Sequence, residues 1–325
     1  MPPPSTRSID LIARVTAALF ARPPPEKGYG RARESDDRKH HQRGLNHMRE
    51  LFFLSAADFV VPRSLVEPGP LFSRTRTTLS CTVAVCVRDN GDIVLVDAGL
   101  SEATCRDPNA ILGAMRCRWL GLSTDPARAI ACQLESLGFD RGQVKTIVAT
   151  HCHFDHIGGL SDFPNAELIA TAEELHALGS AALSPAYRSA DIAFADKLRV
   201  AQLTGPRHLG FPASLDLFDD GDITLLEAVG HSAGHLCVAL NGPNGFFLHI
   251  GDAALLEWEA GRGFEGPGRL SRIICDDARA LSRTLTALRN LDAEARAPIL
   301  VPAHDQRVFE SLPQRPGELA ADLGA

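Results

Sequence analysis

Three histidines and one aspartate fall within six residues, in the segment 151–156 with the sequence His-Cys-His-Phe-Asp-His. Neutral imidazole and carboxylate are the side chains that zinc and similar divalent ions prefer. The segment follows the β-branched run 145–150, a pattern that predicts a short buried strand. A loop leaving a strand can turn these side chains toward one point, and Gly158 and Gly159 allow a tight turn behind them. The spacing therefore predicts a metal site at a strand end.

Three segments further along the chain repeat this order of an apolar run followed by a ligand-type residue. They end on His231, Asp252 and His304. A lone His-x-His would more simply be a polar surface loop, but a fourfold repeat of strand then ligand builds one site from several strand ends. His231 comes first off its strand and is the better ligand candidate, whereas His235 follows a glycine and is expected to support the site.

These segments together resemble the metallo-β-lactamase superfamily, and within it the hydrolases that use two metals, over roughly residues 77–309. The resemblance implies one ion held by three histidines, a second held by one aspartate and two histidines, and a bridging carboxylate. In that order the residues are His151, His153 and His231, then Asp155, His156 and His304, with Asp252 as the bridge. Asp97, at the end of the buried run 93–96, is implied as a support beneath the metal loop, although a simple turn cap there would differ little in geometry.

The elements that must position these residues alternate between strands and helices in two halves. That order suits an α/β fold, a four-layer αββα sandwich with the metals at one edge between the sheets. Leucines at helical spacing predict an amphipathic helix over 276–291, and two apolar runs around the 241–245 turn predict a hairpin. The irregular segment 181–217 is expected to hold substrate specificity, and the glycine-rich segment 253–274 to form a flap over the metals.

The chemistry that such a site supports is metal-assisted hydrolysis of a small-molecule substrate. Two divalent ions, zinc first with manganese or iron as alternatives, would activate a water nucleophile and polarise a carbonyl or phosphoryl oxygen. No serine or cysteine nucleophile is then needed. Asp155 is the catalytic candidate, because a ligand with a free oxygen can hold the nucleophile's proton or pass it to the leaving group.

Within the superfamily the pattern looks most like the lactonase branch, whose members open N-acyl homoserine lactones. That branch carries a tyrosine three residues after the bridging aspartate, and here the position is Leu255. Tyr29 and Tyr187 are the two tyrosines of the chain, and Tyr187 is the plausible replacement. Phe154, inside the motif, and Trp258, in the expected flap, complete the candidate substrate contacts.

Other reactions remain open on the same scaffold. A glyoxalase-II-like thioesterase is the first alternative, but it needs a basic pocket that this short, acidic tail does not offer. A phosphodiesterase fits the acidic body poorly, and an iron-dependent persulfide dioxygenase commonly relies on one metal. The ligand set disfavours a true β-lactamase, and a pure binding module would have little use for seven ligands.

Composition is that of an ordinary globular protein, with 325 residues, 45% hydrophobic and 22% charged. No apolar run approaches the roughly 20 residues that cross a bilayer, so no stable membrane insertion is expected. The net charge is −7, with ten Lys or Arg against six Asp or Glu in the first 50 residues. An acidic body argues against nucleic acid as a partner. Eight cysteines without disulfide spacing fit a reducing cytoplasm, and nothing indicates an oligomeric state.

Three regions follow from these patterns. Residues 1–47 are proline-rich and then charged, and they are predicted to be a disordered N-terminal extension. Residues 48–312 form the metallo-hydrolase domain. Residues 313–325, rich in Pro, Gln and Glu, are predicted to be a loose C-terminal tail.

Overall fold

The computed structural model describes residues 47–68, 74–179, 186–192, 197–261, 267–291 and 297–319. Its strands are β1 (Met48–Ser55), β2 (Asp58–Pro62), β3 (Arg76–Leu79), β4 (Thr82–Arg88), β5 (Ile93–Val96), β6 (Leu122–Ser123), β7 (Val144–Val148), β8 (Glu167–Ala170), β9 (Lys197–Val200), β10 (Ser214–Asp216), β11 (Ile223–Glu227), β12 (Leu236–Gly242), β13 (Gly245–Gly251) and β14 (Ile299–Pro302). Its α-helices are α1 (Arg63–Val66), α2 (Glu102–Arg106), α3 (Ala114–Leu120), α4 (Ile130–Ser136), α5 (Phe154–Ile157), α6 (Ala172–Gly179), α7 (Ser189–Ile192), α8 (Glu257–Ala260), α9 (Arg269–Ile274), α10 (Ala278–Leu291) and α11 (Gln306–Ser311).

Two large sheets and one small sheet organise these strands. The first has the order β1-β4-β5-β7-β8-β9, and its strands from β5 to β9 run parallel. The second has the order β10-β11-β12-β13-β14 and is antiparallel except for the last pair. The small sheet has the order β3-β2-β6, and the ring of Phe59 on β2 lies 5.8 Å from that of His304. Parallel neighbours require crossover connections, which the helices supply.

Apolar residues on both faces of the first sheet explain why it is buried between two layers. Along β1, Leu51 and Phe53 pack with the second sheet, whereas Phe52 and Leu54 pack with the helices. Successive strand side chains point to opposite faces, so an unbroken apolar run fills two cores at once. Strands β4 and β5 divide their side chains in the same way.

Three hydrophobic cores separate four layers. One core lies between α4 and α6 and the first sheet, the second lies between the two large sheets, and the third lies between α10 and the second sheet. The predicted αββα sandwich is therefore confirmed. The leucines predicted to mark the apolar side of the last long helix are buried, and the predicted hairpin forms β12 and β13.

Five strands end at the edge where the candidate ligands lie. Because β5 and β7 are parallel, and β13 and β14 are parallel, the loops after them leave the sheets on the same side. The loop after β11 joins them, since β11 runs in the same direction as β13. The architecture therefore gathers residues far apart in sequence, as the carboxyl ends of strands do in α/β folds.

Two further segments lie outside the regular sandwich, the stretch before β6 and the expected flap. Residues 101–124, which show no clear period, contain α2, a π-helical turn at Asn109–Gly113 and α3. In the expected flap, Ala253, Leu255 and Ala260 are buried, whereas Ile273 is 72% exposed. The buried side chain of Glu259 on α8 accepts hydrogen bonds from the backbone N–H groups of Leu255 and Gly268. These bonds fix the backbone on both sides of the short helix.

The predicted N-terminal extension lies outside the described residues apart from His47. In the predicted tail, residues 313–319 contact the body: the Phe53 N–H donates to the Pro313 oxygen at 2.8 Å, and the Gly317 N–H donates to Glu50 at 3.0 Å. Within the described ranges, helices fall short of the length and apolarity that a membrane crossing demands.

Candidate metal centre

The first group of candidate ligands consists of His151, His153, His231 and Asp252, whose ligand-type atoms lie within 4.8 Å of one another. His153 Nδ1 is 2.9 Å from His151 Nε2 and 3.2 Å from His231 Nε2. Asp252 Oδ2 is 3.4 Å from His231 Nε2. Donors on a tetrahedral ion with bonds of about 2.0–2.1 Å lie about 3.3 Å apart, so this spacing fits a zinc-sized ion.

The second group brings together Asp155, His156 and His304. The other oxygen of Asp252, Oδ1, lies 3.4 Å from His156 Nε2 and 3.2 Å from His304 Nε2. Asp155 Oδ2 lies 3.7 Å from His304 Nε2 and 4.0 Å from His156 Nε2. Asp252 thus turns one carboxylate oxygen toward each group, which is the arrangement of a bridging ligand.

Unsatisfied atoms at the junction of the two groups test whether ions fit there. His156 Nε2 and Asp252 Oδ1 are both buried, and neither has a hydrogen-bond partner among the residues that the structure describes. Buried polar atoms are normally paired, because an unpaired one keeps its desolvation cost. A divalent cation between these atoms would satisfy both, so the donor set fits the metals that the sequence pattern implies.

Asp97 fixes the tautomer of His156. Its Oδ2 lies 2.8 Å from His156 Nδ1, so the neutral ring carries its proton on Nδ1 and turns the lone pair of Nε2 toward the second group. Its Oδ1 accepts the Thr150 N–H at 2.8 Å. Asp97 holds this position with a left-handed backbone, φ 64°, a conformation that aspartate tolerates better than most residues. Asp97 thus joins His156 to the backbone of Thr150, and its supporting role stays a prediction.

The rings of His304 and His235 are each oriented by a backbone group. His304 Nδ1 lies 2.6 Å from the Ser80 carbonyl oxygen, so the neutral ring carries its proton on Nδ1 and turns the lone pair of Nε2 toward the second group. His235 Nε2 accepts the backbone N–H of Asp252 at 3.1 Å. His235 therefore contacts the backbone of Asp252, and its supporting role stays a prediction.

Burial and neighbouring charges divide the histidines into two kinds. Burial lowers the pKa of His151 and of His231 well below the usual range, and the adjacent imidazoles lower it further. Burial also lowers the pKa of His153, to about 3. These three rings are neutral at pH 7, which is the state that binds a metal.

The second group shows the opposite balance. Burial lowers the pKa of His156, but the carboxylates of Asp252, Asp97 and Asp155 outweigh burial and hold the pKa well above its usual range. Burial raises the pKa of Asp252, but the surrounding imidazoles, led by His304, hold it well below its usual range. The negative charge of the site is therefore concentrated at the junction of the two groups, where a cation is best stabilised.

Sequence analysis missed Glu174, a fully buried carboxylate behind the ligands. Its Oε2 accepts the N–H of Cys152 at 2.8 Å, and its Oε1 accepts the N–H of Gly234 at 3.0 Å. It thereby joins the loop of the first two histidines to the loop of His231. Burial raises the pKa of Glu174, and these hydrogen bonds oppose that shift. Its sequence signal, an acidic residue in the first turn of a helix, is shared with ordinary capping residues.

The candidate substrate contacts have different surroundings. Tyr187 packs its ring 4.7 Å from that of His153, and its hydroxyl donates to Glu174 Oε2 at 3.2 Å. Leu255 is buried, and Trp258 donates from Nε1 to the Val66 oxygen at 3.2 Å. Phe154 is buried beneath the guanidinium of Arg116. Tyr187 therefore reaches the metal groups, but its hydroxyl is already engaged.

Comparison with known proteins gives a consistent result. A family model described as the metallo-beta-lactamase superfamily matches residues 77–304. A probable metallo-hydrolase of Mycobacterium tuberculosis is 34% identical over 231 residues, which cover 70% of this chain and 72% of that protein. The N-acyl homoserine lactonase AttM of Rhizobium radiobacter is 27% identical over 237 residues, covering 70% and 82%.

Solved structures share the fold at low identity. B. thuringiensis AiiA with N-decanoyl-L-homoserine at its active site superposes with a TM-score of 0.64 at 18% identity, covering 81% of this chain and 96% of that one. AidC, a dizinc quorum-quenching lactonase, superposes with a TM-score of 0.54 at 14% identity, covering 81% and 92%.

Proposed function

Because this chain belongs to the metallo-beta-lactamase superfamily and is a metal-dependent hydrolase, we propose that it uses two divalent ions to open a lactone or ester carbonyl. The observation that carries this proposal is the pair of ligand groups joined by the two oxygens of Asp252. His151, His153 and His231 would hold one ion, and Asp155, His156 and His304 would hold the other. Zinc is the first candidate metal, with manganese and iron as alternatives.

The protein's own groups divide the work around those ions. When bound, two divalent ions supply an activated water and polarise the carbonyl oxygen. Asp155 is the candidate proton carrier, because its side chain is 13% exposed whereas that of Asp252 is 5% exposed. One of its oxygens faces the second ligand group, which leaves the other to hold a proton and pass it to the leaving alkoxide. Asp97 and His235 orient the ligands, so the site needs little rearrangement when substrate binds.

N-acyl homoserine lactones are the first substrates to test, since the relatives include lactonases named for them. Leu255 stands where the lactonase pattern has a tyrosine, and the hydroxyl of Tyr187 donates to Glu174 rather than toward an open cavity. Among the described residues, no tyrosine hydroxyl is therefore directed to donate a hydrogen bond to the carbonyl oxygen of the substrate. We therefore propose a lactone or ester as the substrate class, within which N-acyl homoserine lactones are the first candidates.

The test follows ring opening of short- and long-chain N-acyl homoserine lactones and simple γ-lactones by the zinc-loaded protein, using a pH indicator. Asp155→Ala and His304→Ala should each abolish turnover. Tyr187→Phe should retain it, since the hydroxyl is engaged elsewhere.

Failure to open any lactone or ester, with two ions bound per chain, would overturn the carbonyl assignment. A thioester and a bis(4-nitrophenyl) phosphodiester, assayed on the same preparation, would then show which alternative substrate class the metal centre serves.

A further inference from the structure

Arg116 lies over the metal-binding motif. Its guanidinium carbon is 4.8 Å from the centre of the Phe154 ring, the residue between two candidate ligands. A cation within about 6 Å of an aromatic face is attracted to it. Among the described residues, no carboxylate lies within 4.0 Å of this guanidinium, although eight other arginines have such a partner: Arg63, Arg88, Arg106, Arg128, Arg141, Arg188, Arg199 and Arg307. Its hydrogen-bonding fork therefore remains available.

A second arginine is held against the same motif by the backbone. The Phe154 N–H donates to the Ala186 oxygen at 2.9 Å, and Tyr187 forms an isolated β-bridge with His153. The next residue is Arg188, whose side chain is 20% exposed and lies 3.5 Å from Asp191. The bridge thus places the backbone of Arg188 next to the candidate centre, with its guanidinium beside Asp191.

The charges of the two arginines act on each other. Burial lowers the pKa of Arg116, and the charge of Arg188 lowers it further, whereas Asp155 and Asp191 raise it. Phe154 links both arginines to the segment that carries Asp155, since its ring contacts the Arg116 guanidinium and its N–H donates to Ala186, two residues before Arg188. Two like charges in one place raise the local potential and favour a bound anion.

We propose that Arg116 and Arg188 form an anion subsite beside the metals, which binds a carboxylate or phosphate on the non-reacting part of the substrate. The subsite rests on the proposed function and narrows it, because it selects lactones or esters that carry a negative charge over neutral ones. Guanidinium groups match both anions with paired hydrogen bonds. The chain is acidic, with net charge −7, so an anionic substrate needs such a local cationic surface to approach.

The test compares two esters on the zinc-loaded protein, mono(4-nitrophenyl) glutarate, which carries a carboxylate, and neutral 4-nitrophenyl butyrate. Arg116→Gln and Arg188→Gln should each raise KM for the glutarate ester about 10-fold, as expected for a lost charge-assisted hydrogen bond, with kcat within twofold. KM for the butyrate ester should stay within twofold. Arg118→Gln, an exposed arginine on the same helix, is the matched control and should change neither value.

A structural role for Arg116 on the Phe154 ring would change both esters alike, and that result, or no change, would overturn the subsite. Binding separates this claim from the reaction itself: if neither ester is hydrolysed, the proposed ester activity fails, and titration calorimetry with glutarate and with inorganic phosphate decides the subsite. If either anion binds about 10-fold more weakly to both Gln variants than to wild type, the subsite is supported and that anion is its ligand class. Equal affinities for both anions in wild type and variants would overturn it.

Discussion

Replacement of Asp97 by asparagine should remove one metal while leaving the fold intact. The Thr150 N–H needs an acceptor at Oδ1, so the asparagine amide oxygen must stay there and its NH2 group must take the place of Oδ2. That NH2 group then meets His156 Nδ1 at 2.8 Å, where the wild-type ring donates a proton. Two donors cannot pair, so His156 must move its proton to Nε2, the atom that faces the second ligand group.

The expected size of the effect follows from the role of a partner behind a metal ligand. Loss of such a partner typically weakens metal binding 10- to 100-fold, and we expect about that loss for the second ion. The backbone should tolerate the change, because asparagine adopts the left-handed conformation of residue 97 readily. Among the described residues, no ligand of the first group is hydrogen-bonded to Asp97. The link between them is Thr150, which contacts both Asp97 and His151, so the ion of the first group should remain.

The assay is metal content by mass spectrometry after dialysis, followed by competition with a chromophoric zinc chelator. Asp97→Asn should retain one tight ion per chain and bind the second 10- to 100-fold more weakly. Asp222→Asn is the matched control, since Asp222 is also a buried carboxylate but pairs with Arg88 far from the site. If Asp97→Asn keeps two ions with affinities within twofold of wild type, the tautomer argument is refuted.

Three further predictions concern stability. Glu174→Gln leaves one backbone N–H facing an NH2 group, so it should lower the free energy of unfolding by about 2 kcal/mol. A thermal scan should then show a melting temperature about 4–8 °C lower. An unchanged melting temperature would contradict the link between the two loops. Burial raises the pKa of Asp191 to about 6 from 3.8, so the folded chain binds this proton more tightly than the unfolded chain, and stability falls as pH rises through that window. Urea unfolding at pH 4.5 and 6.5 should show wild type losing about 2 kcal/mol relative to Asp191→Asn, and equal pH dependence would reject this. Gly159→Ala should prevent folding or metal binding in a metal-content assay, because its Cβ would lie 2.2 Å from the Ala98 oxygen. Gly158→Ala should have a mild effect, since its closest contact would be at 3.2 Å. Similar effects of the two substitutions would argue against the close packing at Gly159.

The strand ends could be predicted because their signals are local. Each ligand candidate follows an apolar run, and alternation within the runs identifies them as strands with two buried faces. Since parallel strands end at one edge, the gathering of seven side chains follows from the order of elements. The grouping into two sets with Asp252 between them came from the family resemblance, and the distances at Asp252 are those expected of it.

What could not be predicted depends on contacts between distant segments. Glu174 accepts hydrogen bonds from residues 22 and 60 positions away, and no local pattern marks such a role. The direction of the Tyr187 hydroxyl depends on which acceptor lies nearby in the fold, here Glu174. Arg116 lies in a segment without clear periodicity, and its approach to Phe154 depends on how α3 packs.

The most direct test of the central claim is the anomalous diffraction of crystals of the zinc-loaded protein, recorded on both sides of the zinc absorption edge. We expect two zinc peaks per chain, one among His151, His153 and His231 and one among Asp155, His156 and His304, with one Asp252 oxygen on each. A single peak in the three-histidine group, with no ion near His304 at saturating zinc, would contradict the two-metal centre.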